Sequence, residues 1–340
     1  MPVSLTNLAD LSAHGFDALI DVRSPSEYTE DHLPGAISLP VLSDAERARV
    51  GTIYVRESPF RARKIGAALV ARNAARHIET ALADFGGGWR PLVYCWRGGQ
   101  RSGSFASILT QIGWRAETVV GGYQSYRRLV VRKLYDEPWP VPVVLLDGNT
   151  GTAKTDVLTA VERLGFQILD LEELAAHRGS VLGGRPGGQP AQKAFESGIA
   201  MRLAALDPAR PVLIEAESSK IGQRIIPPGL WAAMQSAPRI VVEADVESRA
   251  EYLARFYSDV LADPDLVGEQ LLALAPYHGH ETVNEWRKLL TAGAHAELAA
   301  DLIEAHYDPR YAKSRARKAG RVITRIATDR LDPEGIAGMA

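Results

Sequence analysis

Cysteine is nearly absent: one thiol, Cys95, stands in 340 residues. That excludes an intrachain disulfide and a zinc site built on several thiolates, and it suits a reducing compartment. Long apolar runs are missing too; none approaches the roughly 18–20 residues that a membrane-spanning helix needs. The opening Met-Pro-Val-Ser-Leu-Thr-Asn lacks the basic and apolar regions of a secretory signal. A cytoplasmic protein without a membrane partner is therefore expected. Histidine promises little metal chemistry, because His278-Gly-His280 has no third ligand at a recognisable spacing and reads as a solvated loop. Net charge is only -2, which by itself does not point to nucleic acid. Repeats and low-complexity stretches are lacking. What remains is an ordinary folded composition, 46% apolar and 24% charged, at a length that favours two domains.

The seam is Asp136-Glu-Pro-Trp-Pro-Val-Pro142, whose three prolines cannot continue a helix and set a stiff connector. Before it, short apolar runs (Ala18–Ile20, Ala36–Leu39, Leu92–Tyr94, Thr118–Val120) alternate with helical stretches, one of them from about 59 to 84. After it the pattern restarts with Val143–Leu146, Phe166–Leu169, Pro211–Ile214 and Arg239–Val242, followed by a mainly helical stretch to about 320. Such alternation reads as α/β domains with parallel sheets. The expected division is 1–135, a linker 136–142, a second domain 143–330 with a helical extension, and a tail 331–340. Residues 322–327 read either as a closing strand or as a helical turn.

Cys95 follows the first domain's Leu92–Tyr94 run and opens Cys-Trp-Arg97-Gly98-Gly99-Gln-Arg101-Ser102. A strand ending in Cys-x5-Arg with two glycines describes a loop curled around an anion. Its backbone N–H groups and the following helix, about 102–110, favour negative charge. Such surroundings lower a thiol's pKa and make it a nucleophile. Cys95, Arg97 and Arg101 are candidate catalytic residues, joined by Lys154 of a second loop described next, with Gly98 and Gly99 binding phosphate.

A second anion loop is Asp147-Gly148-Asn149-Thr150-Gly151-Thr152-Ala153-Lys154-Thr155, between a strand and a helix. Lys154 would reach terminal phosphates, and the Thr155 hydroxyl would hold an oxygen or a Mg²⁺ ion. Ala153 occupies a position where a positive φ would strain alanine by roughly 1–2 kcal/mol. Two acidic constellations accompany the loop: Asp170-Leu-Glu172-Glu173 leading into His177, Arg178, Gly179 and Ser180, and Glu215, Glu217 and Ser218 after a strand. In β register Glu215 and Glu217 share a side. Each acid could position water or metal, or pair with Arg178 or Arg224.

Basic residues cluster in three places. Residues 47–76 carry eight, among them Arg56, Arg61 and Lys64; 127–133 adds Arg127, Arg128, Arg132 and Lys133; 310–325 carries seven, including Lys313, Arg315, Arg317 and Lys318. With Tyr54, Phe60, Tyr126, Tyr307 and Tyr311 in or beside them, they suggest a nucleic-acid surface.

Together these pieces resemble the bacterial tRNA 2-selenouridine synthase family, a rhodanese-like parallel-sheet domain followed by a P-loop NTPase-like α/β domain. The resemblance rests on Asp21-Val-Arg-Ser-Pro-Ser-Glu27, His32-Leu-Pro-Gly-Ala36, Cys95–Ser102, Gly121-Gly-Tyr-Gln-Ser-Tyr-Arg127, residues 148–155, Leu169–Ser180, Phe195-Glu196, Glu215–Ser218, Ile221-Gly222 and Tyr307-Asp-Pro-Arg-Tyr311. It departs from the family pattern at Ala153, usually glycine, and Gln124, usually lysine. It implies replacement of sulfur by selenium in wobble 2-thiouridine of tRNA, through an S-geranyl intermediate. Geranyl diphosphate and selenophosphate would be co-substrates, with no tightly bound cofactor. A selenophosphate-supplying enzyme would be a natural partner. The rival reading is a sulfurtransferase fused to a nucleotide-dependent kinase-like domain.

Overall fold

The computed structural model describes residues 1–11, 13–180, 182–315 and 321–340. The chain forms two compact units, one comprising Met1–Glu137 with Pro190–Ala205, the other Pro138–Gln189 with Leu206–Ala340.

In the first unit, strands β1 (Ala18–Asp21), β2 (Ala36–Ser38), β3 (Pro91–Tyr94) and β4 (Glu117–Thr118) form a parallel sheet ordered β2-β1-β3-β4. Pairing of Asp21 with Tyr94 brings the carboxyl ends of β1 and β3 together. Arg23 is buried there, its guanidinium bonded to Asp21 at 2.7 Å and to the Asp31 carbonyl at 2.5 Å. Asp21 thus serves as a structural counter-charge. The long helix Pro59–Glu79 stops short of the expected end at 84. The helix Asp44–Arg56, which the apolar pattern did not reveal, starts at a capping box of Ser43 and Glu46.

The domain boundaries expected from chain order need correction. Helix Gln192–Ala205 belongs to the first unit, although it follows the second anion loop in sequence. Phe195, Ile199 and Leu203, four residues apart, form its buried stripe. Ser197 donates to Asp31 at 2.8 Å, Tyr135 donates to Glu196 at 2.7 Å, and Arg127 pairs with Glu196.

In the second unit, β5 (Val143–Gly148), β6 (Gln167–Leu169), β7 (Val212–Glu215), β10 (Arg239–Glu243) and β11 (Val322–Ala327) form a parallel sheet ordered β11-β10-β5-β7-β6. Lys220–Ile221 (β8) and Arg224–Ile225 (β9) make a small separate hairpin. Residues 322–327 are therefore a strand. The expected tail is not a tail: Pro333–Met339 is a helix, and Leu331 and Met339 join a core with Val157 and Leu158. Helices from Val246 to Leu302 build a core around Trp286. Among the described residues no helix is long and apolar enough to cross a membrane.

Candidate functional site

At the end of β3 the chain turns so that helix Gln100–Ile112 points its amino end toward Cys95. The turn needs glycine: Gly98 has φ +66°, and a Cβ there would meet the Val119 carbonyl at 2.6 Å. Gly122 is as confined, since a Cβ there would meet the Cys95 carbonyl at 2.2 Å. The Cys95 sulfur accepts from the Gly99 N–H at 3.3 Å and the Ser102 hydroxyl at 3.2 Å. Only 4% of the residue is exposed, and its other side belongs to the apolar core. Burial pushes the thiol pKa up, but the bonds from Ser102 and Gly99 and the charge of Arg101 outweigh it, leaving it lowered.

The arginines differ. Arg97 is exposed on the loop. Arg101 is engaged by Glu27 at 2.7 and 3.2 Å, so an anion in the loop would share it with that carboxylate. Glu27 is also 3.4 Å from Arg47. Burial works to raise the Glu27 pKa, yet Arg101, the Ser24 N–H and Arg47 pull it down to about 2.

The second anion loop leaves β5 and enters helix Lys154–Arg163 through Ala153, whose φ is +54°. The alanine pays the predicted left-handed strain while burying its methyl. Gly148 and Gly151 sit where a Cβ would meet the Val242 and Arg249 carbonyls at 2.9 Å each. Arg249 braces the loop, donating to the Thr150 carbonyl at 2.9 Å and to Asp308 at 2.6 and 3.0 Å. Asp308 also accepts from Asn149 at 3.0 Å. Sequence reading missed both bracing residues; Asp308 stands inside the Tyr307–Tyr311 motif, which was the available signal. Thr152 is buried and donates to the Asn149 carbonyl at 2.9 Å.

Lys154 donates to the carbonyls of Gly148 and Asn149, both at 3.3 Å. Burial would lower its pKa, but Tyr311, Glu215, Glu217 and Glu172 raise it. These acids gather: carboxylate oxygens of Glu172, Glu215 and Glu217 all lie within 4.8 Å of one another. Glu172 comes from the acidic stretch Asp170–Glu173, and Glu215 and Glu217 from the second constellation. Burial and mutual repulsion raise the pKa values of Glu172 and Glu215. Thr155 acts to lower the Glu215 pKa against that trend, and Glu215 Oε1 is buried without a hydrogen-bond partner. An all-oxygen donor set with an orphaned carboxylate oxygen fits a hard divalent cation such as Mg²⁺.

Thr150, Gly151, Lys154, Arg178, Gly179 and Ser180 line a cavity of about 230 Å³ with the three glutamates. Arg178 does not pair with them: it binds Asp259 at 2.7 Å and stacks over Phe256 and Tyr257. Arg224 donates instead to Gln223 at 3.5 Å. Asp170 caps the short helix Leu171–Leu174, accepting from the Glu173 N–H at 2.8 Å. His177 accepts from the Gly179 N–H at 3.0 Å, and Ser218 donates to the Lys220 carbonyl at 2.5 Å; neither lines the cavity. His278 is not a solvated loop residue: it lies 2.8 Å from buried His306.

The basic clusters also divide. Arg56, Arg61 and Lys64 are exposed beside Tyr54 and Phe60, which are 55% and 71% exposed; Arg61 pairs with Glu57. Arg127 is spent on Glu196, while Arg132 and Lys133 share Glu137 at 3.3 and 2.7 Å. Arg128 is exposed. Tyr126 is fully buried and cannot stack on a base. Arg317 and Lys318 lie outside the described residues, as do the side chains of Lys313 and Arg315.

Comparison with known proteins agrees with this layout. A family described as "tRNA 2-selenouridine synthase AAA domain" matches residues 141–270, and one described as "Rhodanese-like domain" matches 4–129. A tRNA 2-selenouridine synthase from Alcanivorax borkumensis is 32% identical, over 90% of this chain and 91% of its own length. One from Pseudomonas syringae pv. syringae is 32% identical over 89% and 90%. Another from Hahella chejuensis is 37% identical over 70% of this chain and 63% of its own.

Proposed function

Because the chain belongs to the tRNA 2-selenouridine synthase family, we propose that it converts wobble 2-thiouridine in tRNA to 2-selenouridine in two stages. The observation that carries this reading is the presence of two different anion loops, one presenting a thiol and the other a lysine.

In the first stage the loop of residues 148–155 holds geranyl diphosphate. Lys154 and the loop N–H groups stabilise the charge of the departing diphosphate. The thiouridine sulfur attacks the geranyl carbon; a C–S bond forms, the C–O bond breaks, and diphosphate takes the electron pair. A Mg²⁺ ion at Thr155, Glu172, Glu215 and Glu217 would neutralise phosphate charge.

In the second stage selenophosphate supplies selenium at the Cys95 loop. The C–Se bond forms at C2 of the base, the C–S bond breaks to release geranylthiol, and hydrolysis of the Se–P bond releases phosphate. Gly99, Ser102 and the helix amino end favour an anion beside the thiol. Exposed Arg56, Lys64 and Arg128 are among the described cations open to tRNA phosphates.

Separate assays of geranylated and selenated tRNA test this division. Cys95→Ala should spare geranylation and abolish selenation, while Lys154→Ala should damage geranylation first. Equal loss of both steps in Cys95→Ala would overturn it.

A further inference from the structure

A second cavity adjoins the Lys154 site and has no part in the steps above. It holds about 40 Å³ and is walled by Leu182, Leu261, Leu298 and Leu302, with Ala254 and Ala299 among its lining residues. The alanines come from helices Val246–Phe256 and His295–Leu302, which pack against each other. Thr150, Ser180, Leu253, Tyr257 and Tyr307 line both this slot and the larger cavity over the phosphate loop. One site therefore has an anion cradle at one end and an apolar recess at the other.

We infer that the recess receives the far end of an isoprenoid chain whose diphosphate sits on the loop of residues 148–155. The inference rests on the function proposed above and assigns that substrate's chain a place. The slot holds only the chain's end; the carbons nearer the diphosphate lie along Leu253, Phe256 and Tyr257 in the larger cavity of about 230 Å³. A nucleotide is a poor occupant. Its base edges would enter a mainly leucine and alanine lining with few polar groups, Thr150, His295 and Tyr307 among them, and the Ser180 hydroxyl there is already 2.7 Å from the Tyr257 hydroxyl. Polar edges buried without partners cost affinity, whereas a hydrocarbon gains from the same wall. Ala254 and Ala299 set the width of the recess, so side-chain size at these positions should select chain length.

Binding of inorganic, dimethylallyl, geranyl and farnesyl diphosphates to the full chain, by calorimetry with Mg²⁺ present, tests the assignment. Wild type should bind geranyl diphosphate at least ~10-fold more tightly than inorganic diphosphate. Ala299→Phe and, from the facing helix, Ala254→Leu should each remove that advantage while leaving inorganic diphosphate affinity unchanged. A photoreactive prenyl diphosphate should label wild type within 246–302, a readout that needs no variant to fold. Retention of the advantage in both folded variants, or labelling confined to other segments, would overturn the recess while the phosphate-loop reading stands. Failure of wild type to bind inorganic or geranyl diphosphate would overturn both.

Discussion

Glu27 closes on Arg101 through two hydrogen bonds, 2.7 and 3.2 Å long, beside the loop that carries Cys95. The arginine whose charge helps lower the Cys95 pKa is thus held by a carboxylate, and an arriving phosphate must compete with it. The pair spans 74 positions of sequence.

Glu27→Gln should release Arg101. Its charge then acts more fully on Cys95 and on bound anion, so inorganic phosphate should bind roughly 10-fold tighter. The same change should cost acid-dependent stability. With a folded pKa of about 2 against an ordinary 4.5, Glu27 contributes stability that is fully present above pH 4.5. That contribution fades as pH falls toward 2, and is on the order of 3 kcal/mol. Denaturant titrations at pH 7 and pH 3 check it: the wild-type advantage should shrink at the lower pH.

Ser102→Ala should raise the Cys95 pKa by removing its 3.2 Å donor. As the only thiol, Cys95 can be followed by thiolate absorbance against a Cys95→Ser blank. Alkylation near neutral pH should slow by roughly 10-fold. An unchanged rate would mean that the serine does not hold the thiolate.

Glu172→Gln should stabilise the protein. Glu172 has a raised pKa in the folded state, caused first by burial and then by Glu215 and Glu217. Its effect on stability is therefore neutral below the unfolded pKa of about 4.5 and grows unfavourable as pH rises above it. The variant should gain about 2 kcal/mol at pH 8 and nothing near pH 4. Mg²⁺ should raise the Tm of wild type more than that of the variant, because the variant lacks one ligand oxygen's charge.

Ala153→Gly should change stability little. Relief of strain at φ +54° is worth roughly 1–2 kcal/mol. Loss of a buried methyl and the greater freedom of glycine when unfolded cost about 0.8 and 0.5–1 kcal/mol. The effects nearly cancel, so a shift beyond about 1 kcal/mol in denaturant titration would mean that one has been misjudged.

Both anion loops were legible because each is a run of consecutive residues whose geometry is set locally: strand, glycines, then a helix amino end. Cys95 with Ser102 and Gly148 with Lys154 follow from spacing alone, as does the strain at Ala153. The parallel-sheet class followed from apolar runs of strand length alternating with helical stretches.

Other features depended on residues far apart in the chain. Glu172, Glu215 and Glu217 meet because β7 lies between β5 and β6. Asp308 braces Asn149 across 159 positions, and helix Gln192–Ala205 returns to the first unit through its apolar stripe. Arg101 and Arg127, candidates from sequence for anion contacts, are met by Glu27 and Glu196 from distant parts of the chain. The amino-acid sequence by itself determined the two loops and their chemistry, since local backbone preference and residue type suffice for them. Only tertiary structure decided which charges are neutralised, which acids share a site and where the apolar recess opens. Those outcomes depend on packing between segments whose separation in sequence carries no distance information.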